Sequence, residues 1–162
     1  MIMNQLNIYI DRRKKVKTDY GIAFECVELA RRFYNQYYGL TFPSVKDAWE
    51  FFIKIDALIH TGNHQLVLLQ TITPPNIDRI CVGDALFWRK MKKNNYYGHV
   101  GIVVYSDEKK VVIAQQNQKK PLKELETQEI LKKLNIRNGK YLGIKRLPSW
   151  IQKPRIIYVK II

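Results

Sequence analysis

Cys26 and His99 are the pair of residues in this chain best suited to nucleophilic chemistry. The segment around Gly21 reads as loop, and a helix is expected to begin at about Glu25 or Cys26. A thiol on the first turn of a helix meets unpaired backbone N–H groups and the positive end of the helix dipole, which favour the thiolate. The plainer alternative is a small buried hydrophobe, the usual role of a free cysteine. Cys81, beside an expected strand and without such features, is read that way. A nucleophilic thiol needs a base, and His99 is the histidine that falls on an expected strand.

Hairpin geometry supplies the partners of His99. If Asp107, Glu108 and Lys109 form a three-residue loop, Ser106 pairs with Lys110, His99 faces Asn117, and Gly101 faces Gln115 on the same side of the sheet. Gly101 then leaves space beside the imidazole, and Gln115 and Asn117 can accept from its second nitrogen. A two-residue loop instead turns Gln115 and Asn117 to the opposite face. A cysteine at a helix start, facing a histidine and an amide on a sheet, is the arrangement of papain-like catalysis.

The other histidines stand in HTGNH. His60 and His64 could share a helix face as metal ligands, but Gly62 and Asn63 weaken that helix and no nearby acid or cysteine supplies a third ligand. A polar loop is expected there, with no metal. No phosphate-binding loop or dinucleotide fingerprint occurs, and no cofactor is expected.

The elements that position these residues follow from the pattern. Residues 25–38 lack Gly and Pro and end at Gly39, a good residue just past a helix. Leu29, Phe33 and Tyr37 with Val27, Ala30 and Tyr34 give a wide apolar face, and Glu28 and Arg32 are in the favourable order for a helical pair. A second helix is expected from Ser44, with Asp47 completing a weaker capping box. DALFW, GHVGIVVY and KVVIAQQN read as strands, residues 122–134 as a surface helix. Asn138-Gly139 marks a tight turn before YLGIKRL, and RIIYVKII is a candidate last strand. Helices first and antiparallel strands later indicate one α+β domain over residues 1–162.

Composition narrows the function classes. The 162 residues are 46% hydrophobic and 26% charged, a globular composition. No apolar run reaches the ~18 residues that span a bilayer. The apolar patch near Met1 precedes DRRKKVK, the reverse of a secretory signal. An intracellular protein, or one carried in a virus particle, is expected. Lys and Arg number 28 against 14 Asp and Glu, a net charge of +14 that attracts polyanions such as nucleic acid, anionic lipid or acidic wall polymer. The basic residues are spread along the chain, and a codon bias towards Lys, Ile, Asn and Tyr is an alternative source of the excess.

FECVELARRFY, GDALFW, GHVGIVV and VVIAQQN, in that order, resemble the CHAP amidohydrolases, and within them the glutathionylspermidine-amidase branch. The likeness runs from about Gly21 to Pro148. It implies a papain-like α+β fold, with N-terminal helices packed on an antiparallel sheet, that hydrolyses amide bonds without a metal. Cys26 matches the nucleophile and His99 the general base, with Gln115 and Asn117 at the positions that orient the imidazole. Two residues depart from the pattern. Gln115 stands where the family usually has Glu, and Glu25 stands where it has Gln beside the forming oxyanion. The implied substrate is a peptidoglycan peptide or a polyamine conjugate such as glutathionylspermidine, and the charge of +14 suits the acidic wall better than a cationic polyamine. The competing reading is a catalytically weakened, virion-carried CHAP-fold protein whose basic surface meets nucleic acid or membrane.

Overall fold

A computed structural model of the chain describes residues 5–11, 17–22 and 25–162. Most of the basic run Arg12 to Lys17, and Phe24 of the FECVELARRFY motif, lie outside the described residues. In chain order the elements are β1 (Leu6–Ile8), β2 (Lys17–Thr18), β3 (Gly21–Ile22), α1 (Cys26–Tyr38), β4 (Leu40–Thr41), α2 (Ala48–Lys54), β5 (Ala57–His60), β6 (Leu66–Leu68) and β7 (Gln70–Ile72). There follow β8 (Ala85–Trp88), β9 (Met91–Lys92), β10 (Asn95–Tyr96), β11 (His99–Ser106), β12 (Lys110–Ala114), β13 (Leu122–Glu126), α3 (Thr127–Leu134), β14 (Tyr141–Arg146) and β15 (Val159–Ile161). Mixed helices and antiparallel strands make this an α+β fold.

The site is carried by a six-stranded antiparallel sheet in the order β13, β12, β11, β8, β14, β7. Its centre is apolar on both faces because both are covered. One face, with Ala85, Phe87, Val100, Ile102 and Val104, packs under α1 and α2. The other, with Leu86, Trp88, Val103, Val111 and Ile113, packs under Ile130 and Leu134 of α3. Helix α1 begins at Cys26 and stops where Gly39 turns the backbone left-handed, φ 66°, a conformation glycine adopts without strain.

Several local expectations are corrected. Helix α2 starts at Ala48 rather than Ser44, because Asp47 itself caps it, its carboxylate accepting from the Glu50 N–H at 2.8 Å. Of residues 122–134 the first five form β13, not helix. Their burial alternates and they complete the ladder with β12, Ile113 opposite Lys123; helical periodicity holds only from Thr127. The C-terminal segment does supply the expected last strand, β15, paired parallel to β1 outside the main sheet. The expected Glu28–Arg32 helical pair forms at 2.8 Å, and it is buried.

The β11–β12 hairpin also differs in detail. Ser106 pairs with Val111, not Lys110, and a bulge between Val103 and Tyr105 shifts the ladder so that Val103 faces Ile113 and Ile102 faces Ala114. Continued beyond the ladder, this register puts Gln115 on the side of Gly101 and His99. Without the bulge, alternation would bring Gln116 there instead. The space above Gly101 belongs to other residues than expected: a Cβ there would meet Ile113 at 2.7 Å and Trp88 at 3.3 Å.

Candidate active site

Cys26 opens α1 and His99 opens β11, and both line one open cleft of about 810 Å³ together with Glu25, Asp19, Lys90, Gly98 and Asn117. The thiol therefore lies against the first turn of the helix. Backbone amides of Val100, the residue after His99, and of Val27 favour its ionised form. Burial outweighs them, and with the added charge of Glu25 the thiol is pushed up from 9.0 to about 11.

His99 is 3% exposed and its ring lies 4.9 Å from that of Trp88. Its Nε2 is 3.0 Å from Oε1 of Gln115. The Gln115 amide nitrogen donates to the Lys120 carbonyl at 2.8 Å, which fixes the orientation of the amide. An acceptor oxygen then faces Nε2, so Nε2 carries the proton and Nδ1 keeps its lone pair. Burial pushes the imidazole down from 6.5 to about 4, the bond to Gln115 pulls up, and Lys90 and Lys123 push down. At neutral pH the two groups rest as thiol and imidazole.

Asn117 lines the cleft with a left-handed backbone, φ 62°. Glu25 caps α1 with extended backbone and without a side-chain hydrogen bond to the helix. His60 and His64 lie away from this cleft. His60 accepts at Nδ1 from the N–H groups of Gly62 and Asn63, closing the turn after β5. Among the described residues no group of three His, Cys, Asp or Glu could hold a metal ion.

Gln116 carries a role that the sequence reading overlooked. Its amide nitrogen donates to the Glu25 carbonyl at 2.8 Å and to Glu28 Oε1 at 3.1 Å. Its oxygen accepts from the Tyr9 N–H at 2.8 Å and from Arg32 at 3.1 Å. Arg32 in turn forks onto Glu28 at 2.8 and 3.1 Å, and Thr18 donates to Glu28 at 3.1 Å. This buried network ties the start of α1 to the segment after β12, so the Gln115-Gln116 pair holds the imidazole with one amide and the cysteine helix with the other. The one sequence signal was the i, i+4 order of Glu28 and Arg32.

A cysteine-led helix packed across an antiparallel sheet whose strand opens on a histidine defines the class of fold and site. The chain belongs to the CHAP domain family, which matches residues 15–117. Over 97 residues, 60% of this chain, it is 35% identical to the bifunctional glutathionylspermidine synthetase/amidase of Escherichia coli (strain K12), and to the same degree to that of Shigella flexneri. The match spans 16% of the length of those relatives. Among the described residues no helix is long and apolar enough to cross a membrane.

Proposed function

We propose that this chain is a cysteine amidohydrolase in which Cys26 is the nucleophile and His99 the general base. The observation that carries the reading is the 3.0 Å contact from Gln115 to His99 Nε2, which leaves Nδ1 as the basic nitrogen in the cleft shared with Cys26. Because the pair rests neutral, the thiol proton passes to Nδ1 as the sulfur attacks the amide carbonyl. The oxyanion is met by backbone N–H groups at the start of α1, where the helix leaves donors outside its own ladder. His99 returns the proton to the leaving amine, and water, deprotonated by His99, cleaves the thioester and regenerates the thiol. Gln115 orients the imidazole without supplying a charge. Asn117 borders the reacting groups, and Glu25, a carboxylate beside the nucleophile, disfavours both thiolate and oxyanion.

The substrate class that fits the basic chain is a peptide amide in an anionic wall. A polyamine conjugate is the second reading. It is favoured by the carboxylates of Asp19 and Glu25 in the cleft and by the amidase named in the relatives. Hydrolysis of purified peptidoglycan and of glutathionylspermidine, each against Cys26→Ala, separates them. Release of free amine from one substrate by the intact chain alone identifies it, and equal release by the Cys26→Ala protein overturns the mechanism.

A further inference from the structure

Strand β6 ends the small three-stranded sheet β4, β5, β6. The turn between β5 and β6 closes on a hydrogen bond from the His60 N–H to the Gln65 carbonyl at 2.9 Å, and the Leu69 N–H donates to the Asp56 carbonyl at 2.8 Å. With Leu58 opposite Val67, alternation turns the N–H and C=O of Val67 towards β5 and those of Leu66 and Leu68 away from it. Among the described residues no strand pairs with that outer edge. The side chains follow the same alternation: Val67 is buried, whereas Leu66 is 64% and Leu68 69% exposed. Two leucines thus stand on one open face of a strand whose outer backbone groups are unused.

The outer strands of the main sheet are guarded. At one end β13 carries Lys123, Glu124 and Glu126, and at the other β7 runs into Pro74 and Pro75. Charge and proline are usual devices that keep a sheet edge from pairing. β6 has neither. From Ala57 to Ile77 the sequence holds no Asp, Glu, Lys or Arg, the longest such stretch in the chain.

Charge and symmetry select the occupant. Two copies of a chain with a net charge of +14 repel one another, and an uncharged edge is where they meet at least cost. Antiparallel pairing about a two-fold axis at Val67 sets Leu66 of one copy opposite Leu68 of the other. Both members of each such pair turn their N–H and C=O outward, so each pair exchanges two backbone hydrogen bonds. The four leucines then fall side by side on one face.

We propose that β6 is a self-association edge, through which two copies of this chain join their three-stranded sheets antiparallel at Leu66 and Leu68. Strand β4, whose Thr41 lines the active-site cleft, is at the opposite edge of the small sheet, so the pairing edge is not a wall of the cleft. The edge is short, and a weak dimer is expected, with a Kd of about 10 μM to 1 mM.

The test uses the full chain with reductant present, which removes any disulfide dimer through Cys26 or Cys81. Sedimentation velocity should show a monomer–dimer shift between about 10 μM and 2 mM. Leu66→Lys with Leu68→Lys should weaken the dimer about tenfold or more, because four like charges meet across the pair. Ile136→Lys with Trp150→Lys adds the same charge at other exposed apolar positions and should change it less than about twofold. Amide exchange read by NMR isolates the backbone pairing. The Val67 N–H should be protected at every concentration, whereas those of Leu66 and Leu68 should exchange freely when dilute and slow about fivefold or more when concentrated. Should the lysine pair abolish Val67 protection, and so unfold β6, Leu66→Thr with Leu68→Thr takes its place, with an expected weakening of about fivefold. A chain that stays monomeric to about 2 mM, equal losses in the two lysine pairs, or Leu66 and Leu68 amides that exchange freely in the dimer would each overturn the proposal. Protection of those amides only on adding lipid vesicles or an extended peptide would assign the edge to another occupant and overturn it as well.

Discussion

Gln116 donates a hydrogen bond to the Glu25 carbonyl at 2.8 Å across 91 positions of sequence, joining the end of the β11–β12 hairpin to the residue that precedes Cys26. With Gln115 bound to His99 one position earlier, a two-residue segment sets both sides of the candidate catalytic pair. Any change that moves this segment should alter the base and the nucleophile together.

Gln116→Ala tests that link. It leaves the Tyr9 N–H and one Arg32 donor without their acceptor, next to the buried Glu28 carboxylate. Orphaned buried donors cost about 1–3 kcal/mol each, so a loss of about 2–4 kcal/mol is expected in denaturant unfolding. Hydrolysis should fall as well. A loss below about 0.5 kcal/mol would show that the network is not coupled to stability.

Cys26→Ala should abolish hydrolysis while leaving the melting temperature within a few degrees of the parent, since a small thiol at a cleft contributes little packing. His99→Ala should match it closely, and the double variant should be no worse than either single, because nucleophile and base act as a unit. Additive losses would separate the two residues.

The protonation states predict two limbs in a stability profile. The unfolded chain protonates its histidine below 6.5, whereas buried His99 stays neutral to about 4. The unfolded state therefore binds more protons in that window, and the contribution of His99, complete above pH 6.5, is lost as pH falls towards 4. Its size is about 3 kcal/mol. For Cys26, raised from 9.0 to about 11, stability is instead lost as pH rises through that range. Urea unfolding from pH 4 to 10 reads both limbs, and a flat acid limb would contradict a neutral buried imidazole.

Alkylation reports the same pair by another route. A neutral resting thiol should react slowly with iodoacetamide at pH 7, with a rate still climbing about tenfold per pH unit at pH 9. A plateau below pH 7 would show that the thiolate–imidazolium pair is already formed.

Gln115→Glu adds a carboxylate to His99 but removes the donor to the Lys120 carbonyl. The charged bond is about twice as strong as the neutral one, and nearby Lys90 and Lys123 favour the new charge. The imidazole pKa should rise, and Cys26 alkylation at pH 7 should quicken about five-fold or more, equivalent to about 1 kcal/mol. The oxygen now facing Lys120 should cost stability of about 1–2 kcal/mol. Unchanged alkylation would mean that Gln115 does not govern the pair.

The sequence by itself determined the pieces whose causes are local. An apolar face uninterrupted from Cys26 and ended by Gly39 specifies α1, and short apolar runs, aromatic in β8 and β-branched in β11, specify the strand cores, so the positions of Cys26 and His99 at the starts of their elements were legible. Tertiary structure decided what depends on distant partners. The bulge between Val103 and Tyr105 selects Gln115 rather than Gln116 for His99, and hairpin counting from Ser106 alone cannot place it. Glu28 and Arg32 have the spacing of a solvated helical pair, yet Gln116, 84 and 88 positions away, closes over them and makes the pair part of the scaffold. Leu122–Glu126 adopts a strand because β12 offers it an open edge, although its residues also suit a helix. Charge likewise has no location in a sequence. Lys90 and Lys123 act on His99 only when β8, β11 and β13 take their places in one sheet, because Coulomb interactions follow distance in space, whereas periodicity records only distance along the chain.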